Sequence, residues 1–147
     1  MFSFFKPKPA YPVDCKWSVG SFQADGKQFF LRRNDSAKIL SGGSEYRFRV
    51  GVAIAVSSLD ENCIPTPDEA ELIMSIEDAL TTTLEANQDS IHVLAISCDS
   101  MREFIFYTRR PNEVRFHVER ISKQFPSRQI QFYIAKDRNW ECYGQYT

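Results

Sequence analysis

An α+β fold, with two helices on one face of an antiparallel sheet, is what this 147-residue sequence predicts, and three observations lead there. Between residues 46 and 137 the hydropathy pattern runs strand, helix, strand, strand, helix, strand. A β-hairpin pattern precedes that run, and each helical segment carries a single apolar stripe. Such a stripe must be buried, and a strand with one strongly apolar face offers the matching surface.

The elements follow in order. Residues 17–22 and 28–33 flank Asp25-Gly26, a dipeptide suited to the positive backbone angles of a tight hairpin turn. Residues 34–45 contain Asn34-Asp35-Ser36 and Ser41-Gly42-Gly43-Ser44, the composition of a flexible connection or a mobile flap. Over 46–56, Phe48, Val50, Val52, Ile54 and Val56 alternate with Arg47, Arg49, Gly51, Ala53 and Ala55, so only the branched face seeks a core. Thr66-Pro67-Asp68-Glu69 supplies an N-cap, a first-position proline and a glutamate three residues after the cap. Leu72, Ile73, Ile76, Leu80 and Leu84 then repeat at helical spacing, with an end near 85–87.

Residues 91–97 and 102–108 form two strands around Asp99-Ser100. A second helix covers about 112–124, with Val114, Val118, Ile121 and Phe125 on its stripe and Pro126 just beyond it. In the last strand, 130–137, Ile130, Phe132 and Ile134 alternate with Gln131, Tyr133 and Ala135. Packing both helices on one side of these strands gives a ferredoxin-like βαββαβ core, with 46–56 and 102–108 as its central strands. The reading is a tail at 1–12 and a single domain at 13–147. That domain comprises the hairpin 16–33, a flexible loop 34–45, the core 46–137 and a C-terminal segment 138–147. The hairpin either extends a sheet edge or folds over the open face.

A composition of 43% hydrophobic and 25% charged residues suits one core. Eighteen basic against 19 acidic residues leave a net charge of -1, so no global field draws in nucleic acid or a membrane, and neither is expected as a partner. Met1-Phe2-Ser3-Phe4-Phe5 runs into Lys6-Pro7-Lys8-Pro9, whose prolines interrupt any signal-peptide core; a loose tail on a cytoplasmic protein is the reading. Cys15, Cys63, Cys98 and Cys142 include no close pair, so reduced structural thiols are expected, with no metal and no cofactor. Gly42-Gly43 precedes a strand and lacks the helix and lysine of a phosphate loop.

Five further features occur in a telling order. They are Trp17 at the start of the hairpin, Ile64-Pro65 with Pro67 ahead of a helix, Ile76-Glu77-Asp78 within it, Arg102-Glu103-Phe104-Ile105-Phe106-Tyr107, and the closing Asp137-Arg138-Asn139-Trp140. In this run the chain resembles a bacterial family catalogued as domain of unknown function 695. The resemblance carries no activity. Some members of that family are joined to a domain like the regulator of ribonuclease E activity B, which implies by association a regulatory or protein-binding role.

With the branched residues against the helices, the open sheet face would carry Arg47, Arg49, Glu103, Tyr107, Gln131, Tyr133 and Asp137. One reading is a ligand or partner surface, with arginines for anionic groups and tyrosines for rigid contact. The other is an ordinary half-solvated sheet with cross-strand charge pairs. Trp140 joins Asp137 either in a binding corner or in a turn where Asp137 or Asn139 bonds the backbone and the indole caps the core. The stacking signature of RNA-recognition motifs is absent, since Arg49, Gly51 and Ala53 occupy the positions where aromatics would stand.

His92 and His117 sit in patterned elements without a second ligand and read as structural or surface residues. Asp60-Glu61, Asp68-Glu69 and Glu77-Asp78 read as loop, helix-start and solvated helix charges. No catalytic residue is assigned. The expected function is a non-catalytic binding or regulatory module whose partner is a second copy, through the open face or an exposed edge, or another protein. The alternative is a small enzyme with a pocket between hairpin, flap and sheet, using Arg47, Glu103, Tyr107 and Asp137. Trp17 and Phe29 are read as buried, which makes the hairpin integral to the domain.

Overall fold

A computed structural model describes residues 8–62 and 64–146. The readings for residues 1–7 and for Cys63 fall outside them. Six strands, β1 (Trp17–Ala24), β2 (Lys27–Asn34), β3 (Phe48–Ala55), β4 (Ser90–Ser97), β5 (Met101–Thr108) and β6 (Ile130–Lys136), form one antiparallel sheet in the order β1-β2-β4-β5-β3-β6. The helices are α1 (Pro67–Leu84), α2 (Pro111–Gln124) and a short α3 (Glu141–Gly144).

Asp25 and Gly26 take positive φ of 52° and 77°, and the hairpin keeps one register from Trp17↔Asn34 to Ala24↔Lys27. It extends the sheet edge, because β2 pairs with β4 from Phe30↔Ser97 to Arg33↔Leu94. That settles the choice between edge and face, and it makes β4 and β5 the middle of the six-stranded sheet. The hairpin is less buried than the sequence suggested. Trp17 is 37% exposed, with its ring centroid 5.1 Å from that of His92, and Phe29 is only half-buried against Phe22.

One face of the sheet carries α1 and α2. Val50, Val52, Ile54, Phe104 and Phe106 meet Ile73, Ile76, Leu80 and Leu84 of α1 and Val114, Val118 and Ile121 of α2. Each buried branched or aromatic side chain in such a layer contributes about 1.5–3 kcal/mol. Thr66 caps α1 by accepting from the Glu69 N–H. The Glu69 carboxylate, read above as a helix-start charge, is instead buried. It accepts from Ser57 N–H at 2.6 Å, Ser58 N–H at 3.1 Å, the Ser57 hydroxyl and the Arg128 guanidinium. Burial pushes its pKa up, but these donors outweigh burial and bring it down to about 2. Glu69 thereby ties the loop before α1 to the segment leading into β6.

The second face has a core of its own. Ile91, Leu94, Ile105 and Tyr107 pack under Ala37, Leu40, Tyr46, Trp140 and Tyr143. The expected flexible loop 34–45 instead begins with a 3₁₀ turn, Asp35–Leu40, that buries Ala37 and Leu40. Residues three apart share one side of a 3₁₀ turn, so these two apolar residues dock the segment despite its turn-like composition. The adjoining Asn34 is also buried and donates its side-chain amide to the His92 carbonyl at 3.0 Å.

Candidate functional site

The face opposite α1 and α2 is ordered in rows across β5, β3 and β6. Cross-strand pairing aligns Tyr107–Arg49–Ala135, then Ile105–Gly51–Tyr133, then Glu103–Ala53–Gln131. Directly paired residues share one face, so the side chains of these nine positions, Gly51 apart, point the same way. The first row is covered and the third is open.

The cover is built around Asp137. Its Oδ2 accepts from the Tyr107 hydroxyl at 2.7 Å, Arg49 Nη1 at 3.1 Å and Cys142 N–H at 3.1 Å, and its Oδ1 accepts from Glu141 N–H at 2.8 Å. Burial alone would raise this carboxyl, but Tyr107, the two backbone donors and Arg49 hold it below the usual range. Burial and the bond to Asp137 push the Tyr107 hydroxyl upward. Trp140 takes φ 56°, which reverses the chain into α3. Its indole stacks on Tyr107 with centroids 4.1 Å apart and donates Nε1–H to the Tyr46 carbonyl at 2.8 Å. Tyr143 completes the cover, donating its hydroxyl to the Asn34 carbonyl at 2.7 Å.

The open part is a groove of about 630 Å³ floored by Gly51 and Ala53 and walled by Glu103, Gln131 and Tyr133. The Tyr133 ring lies across Gly51, where a Cβ would come within 2.2 Å of it. No other residue at 51 would let the ring lie flat. Arg49 sits with its guanidinium 5.5 Å from the Tyr133 ring centroid, so it links the covered Asp137 to the groove. Burial raises the Glu103 carboxyl and Arg49 partly opposes the shift. Among the described residues none donates a hydrogen bond to that carboxyl. Burial, then Glu103, raise the Tyr133 hydroxyl, and burial raises the Cys142 thiol.

The residues singled out by sequence therefore part into groups. Tyr107, Asp137 and Trp140 are buried, with Asp137 only 8% exposed, and they serve the cover. Glu103 and Tyr133 face the groove, Arg49 joins the two groups, and Arg47 is exposed elsewhere, beside Phe48, Lys136 and Arg138. The four groups of the enzyme reading do not meet at one accessible place. Gly51 and Ala53 were missed as a groove floor, although two small residues in succession on the polar face of β3 were a usable signal. Cys142 near Arg49 had none.

Elsewhere, a cavity of about 260 Å³ between residues 8–11, 40–46 and 88 holds Lys8, Glu45 and Arg109, but both cations are already paired, Lys8 with Glu45 at 2.7 Å and Arg109 with Glu45 at 3.7 Å and Asp89 at 3.3 Å. His92 is buried, stacks on Phe106 with centroids 4.5 Å apart and donates Nε2–H to the Leu94 carbonyl. Burial, with Arg32 nearby, lowers its pKa to about 3, so the ring is neutral. Cys15, Cys98 and Cys142 are free thiols. Among the described residues no group of His, Cys, Asp or Glu is arranged to hold a metal ion, and no helix is long and apolar enough to cross a membrane.

Fold and site together define an α+β domain with a six-stranded antiparallel sheet, one helix-covered face and a second face left partly open as a groove. The chain belongs to the domain of unknown function 695 family (DUF695), described only as a family of unknown function, whose model matches residues 15–147. No curated protein and no solved structure matches it.

Proposed function

We propose that this chain is a non-catalytic binding module in which the groove over β5, β3 and β6 takes a small polar ligand, or a segment of a partner, that offers N–H or O–H donors. The observation that carries this is the Glu103 carboxyl. It is half-buried, raised by that burial, and faces an open groove without a donor among the described residues. A carboxylate with no donor of its own can take one from a ligand in exchange for water, and a hydrogen bond to a charged group contributes about 1.5–3 kcal/mol. Tyr133 adds a flat face and Gln131 both a donor and an acceptor. A catalytic reading has less support, since the acid and phenol that sequence would assign to it, Asp137 and Tyr107, lie under Trp140 with their hydrogen bonds made.

The strand order β4-β5-β3-β6, with α1 and α2 on one side, supports a ferredoxin-like βαββαβ core to which β1 and β2 are added at the β4 edge. A regulatory role in the bacterial cytoplasm goes with this reading. The test is amide NMR of the labelled chain titrated with propylamine, N-methylacetamide and propionate. The amine and the amide should shift the signals of Gly51, Ala53, Glu103 and Gln131, and propionate should not. Ala53→Leu, which fills the groove floor, should abolish those shifts. Shifts that survive Ala53→Leu, or none with any probe, overturn the reading. Native mass spectrometry of the protein taken from its host would then name the ligand.

A further inference from the structure

The hairpin carries a surface that the groove does not use. We propose that β1 is a self-pairing edge: two copies of this chain join β1 to β1 in antiparallel fashion about a two-fold axis perpendicular to the sheet, so that two six-stranded sheets become one.

β1 closes one end of the sheet. Its eight residues pair with β2 without a bulge, and none of them is ionisable or proline. Sheet edges are ordinarily protected from pairing by lysines, prolines or bulges, and β1 has none of the three. The opposite edge, β6, is shorter and ends in Lys136. The two-residue turn makes Ala24↔Lys27 a hydrogen-bonded pair, so even-numbered residues of β1 bond β2. Trp17, Val19, Ser21 and Gln23 consequently turn their N–H and C=O groups to the open edge.

The side chains agree with this. Val19 is 82% exposed and Phe30, beside it on the helix side of the sheet, is 59% exposed. A register centred on Gly20 sets Val19 opposite the second copy's Ser21 and brings the two Val19 side chains together diagonally across the axis. On the other side Gly20 meets Gly20, and Ser18 lies opposite Phe22. The register sets Lys16 opposite the second copy's Ala24 and Cys15 opposite its Asp25, so no like charges stand directly across from one another. A net charge of -1 sets no long-range repulsion between copies. The pairing is isologous, so it closes at two copies.

The test is sedimentation velocity of the full chain over a concentration series, with Ser21→Pro and Val19→Lys alongside. Ser21→Pro removes an outward N–H and leaves the ladder to β2 intact. Val19→Lys puts two like charges at the axis. The wild type is expected to approach twice its 17.0 kDa mass as concentration rises, and both variants to stay at 17.0 kDa with unchanged circular dichroism. Hydrogen exchange gives a second readout that does not depend on the variants folding. In the wild type the amides of Val19, Ser21 and Gln23 should gain protection with concentration, while those of Ser18, Gly20 and Phe22 should not change. A wild type that stays monomeric overturns the proposal, as does a dimer that persists in both variants or shows no alternation in exchange.

Discussion

Asp137 and Glu103 stand at opposite ends of one sheet face, and their surroundings differ in almost every respect. Asp137 has four donors on its two oxygens and a pKa held down despite burial. Glu103 is raised by burial, with only the nearby Arg49 charge to offset it. A carboxylate whose donors come from Tyr107, Arg49 and the backbone of α3 acts as a cross-link. One that keeps its acceptor capacity beside open space is suited to bind. The same difference separates the two ends of β5, since Tyr107 lies beneath Trp140 while Glu103 lines the groove.

The largest expected effect falls on the covered end. Trp140→Ala removes the indole from Tyr107 and Tyr46 and should cost about 3–5 kcal/mol. At roughly 2–4 °C per kcal/mol, thermal melting should drop by about 10 °C. A drop of only a degree or two would mean that the cover is not structural. Tyr107→Phe leaves packing in place but takes one donor from a buried carboxylate, so urea unfolding should report a loss of about 1.5–3 kcal/mol.

Acid response gives the next contrast. Folded His92 titrates near 3, against an ordinary 6.5, so the unfolded chain binds more protons between those values. Its contribution is complete above pH 6.5, declines as pH falls, and is lost by about pH 3. Glu69, brought down to about 2, adds a second loss below about pH 4.5. His92→Phe should flatten the stability profile between pH 6 and 4 by up to about 1.4 kcal/mol per unit, and an unchanged slope would refute a neutral buried ring.

Gly51→Ala should change stability by less than about 1 kcal/mol, because Tyr133 is 40% exposed and can swing outward. The same substitution should disturb the groove signals in NMR; a silent spectrum would show that Tyr133 does not define the site. Glu103→Gln is the smallest step and has the opposite sign to the losses above. Its raised carboxyl opposes folding near neutral pH, so the amide should melt slightly higher while weakening the response to propylamine.

Much of the fold was legible because side-chain period reports orientation. Val50, Val52 and Ile54 on one side of a strand, and Ile73, Ile76 and Leu80 on one side of a helix, can be satisfied together in few ways. The site was legible only in part. The alternation that placed Arg49, Glu103, Tyr107 and Tyr133 on one face was correct, but period cannot say which part of a face will be covered. Ala37 and Leu40 looked like residues of a flexible connection, yet they are docked on that face. Trp140 read more readily as a cap on the core than as a binding group, but only the fold shows that Tyr107 and the Tyr46 carbonyl are what it covers.

The amino-acid sequence by itself determined the order of the elements, the hairpin turn at Asp25-Gly26 and the side of each strand that meets the helices, because these follow from local backbone preferences and side-chain spacing. Tertiary structure alone decided where the hairpin joins the sheet, that Asp137 is a cross-link and that Glu103 borders an open groove. Those outcomes depend on Ala37, Leu40, Trp140 and Tyr143 arriving from opposite ends of the chain to share one cover, and no local pattern encodes a meeting of segments so far apart.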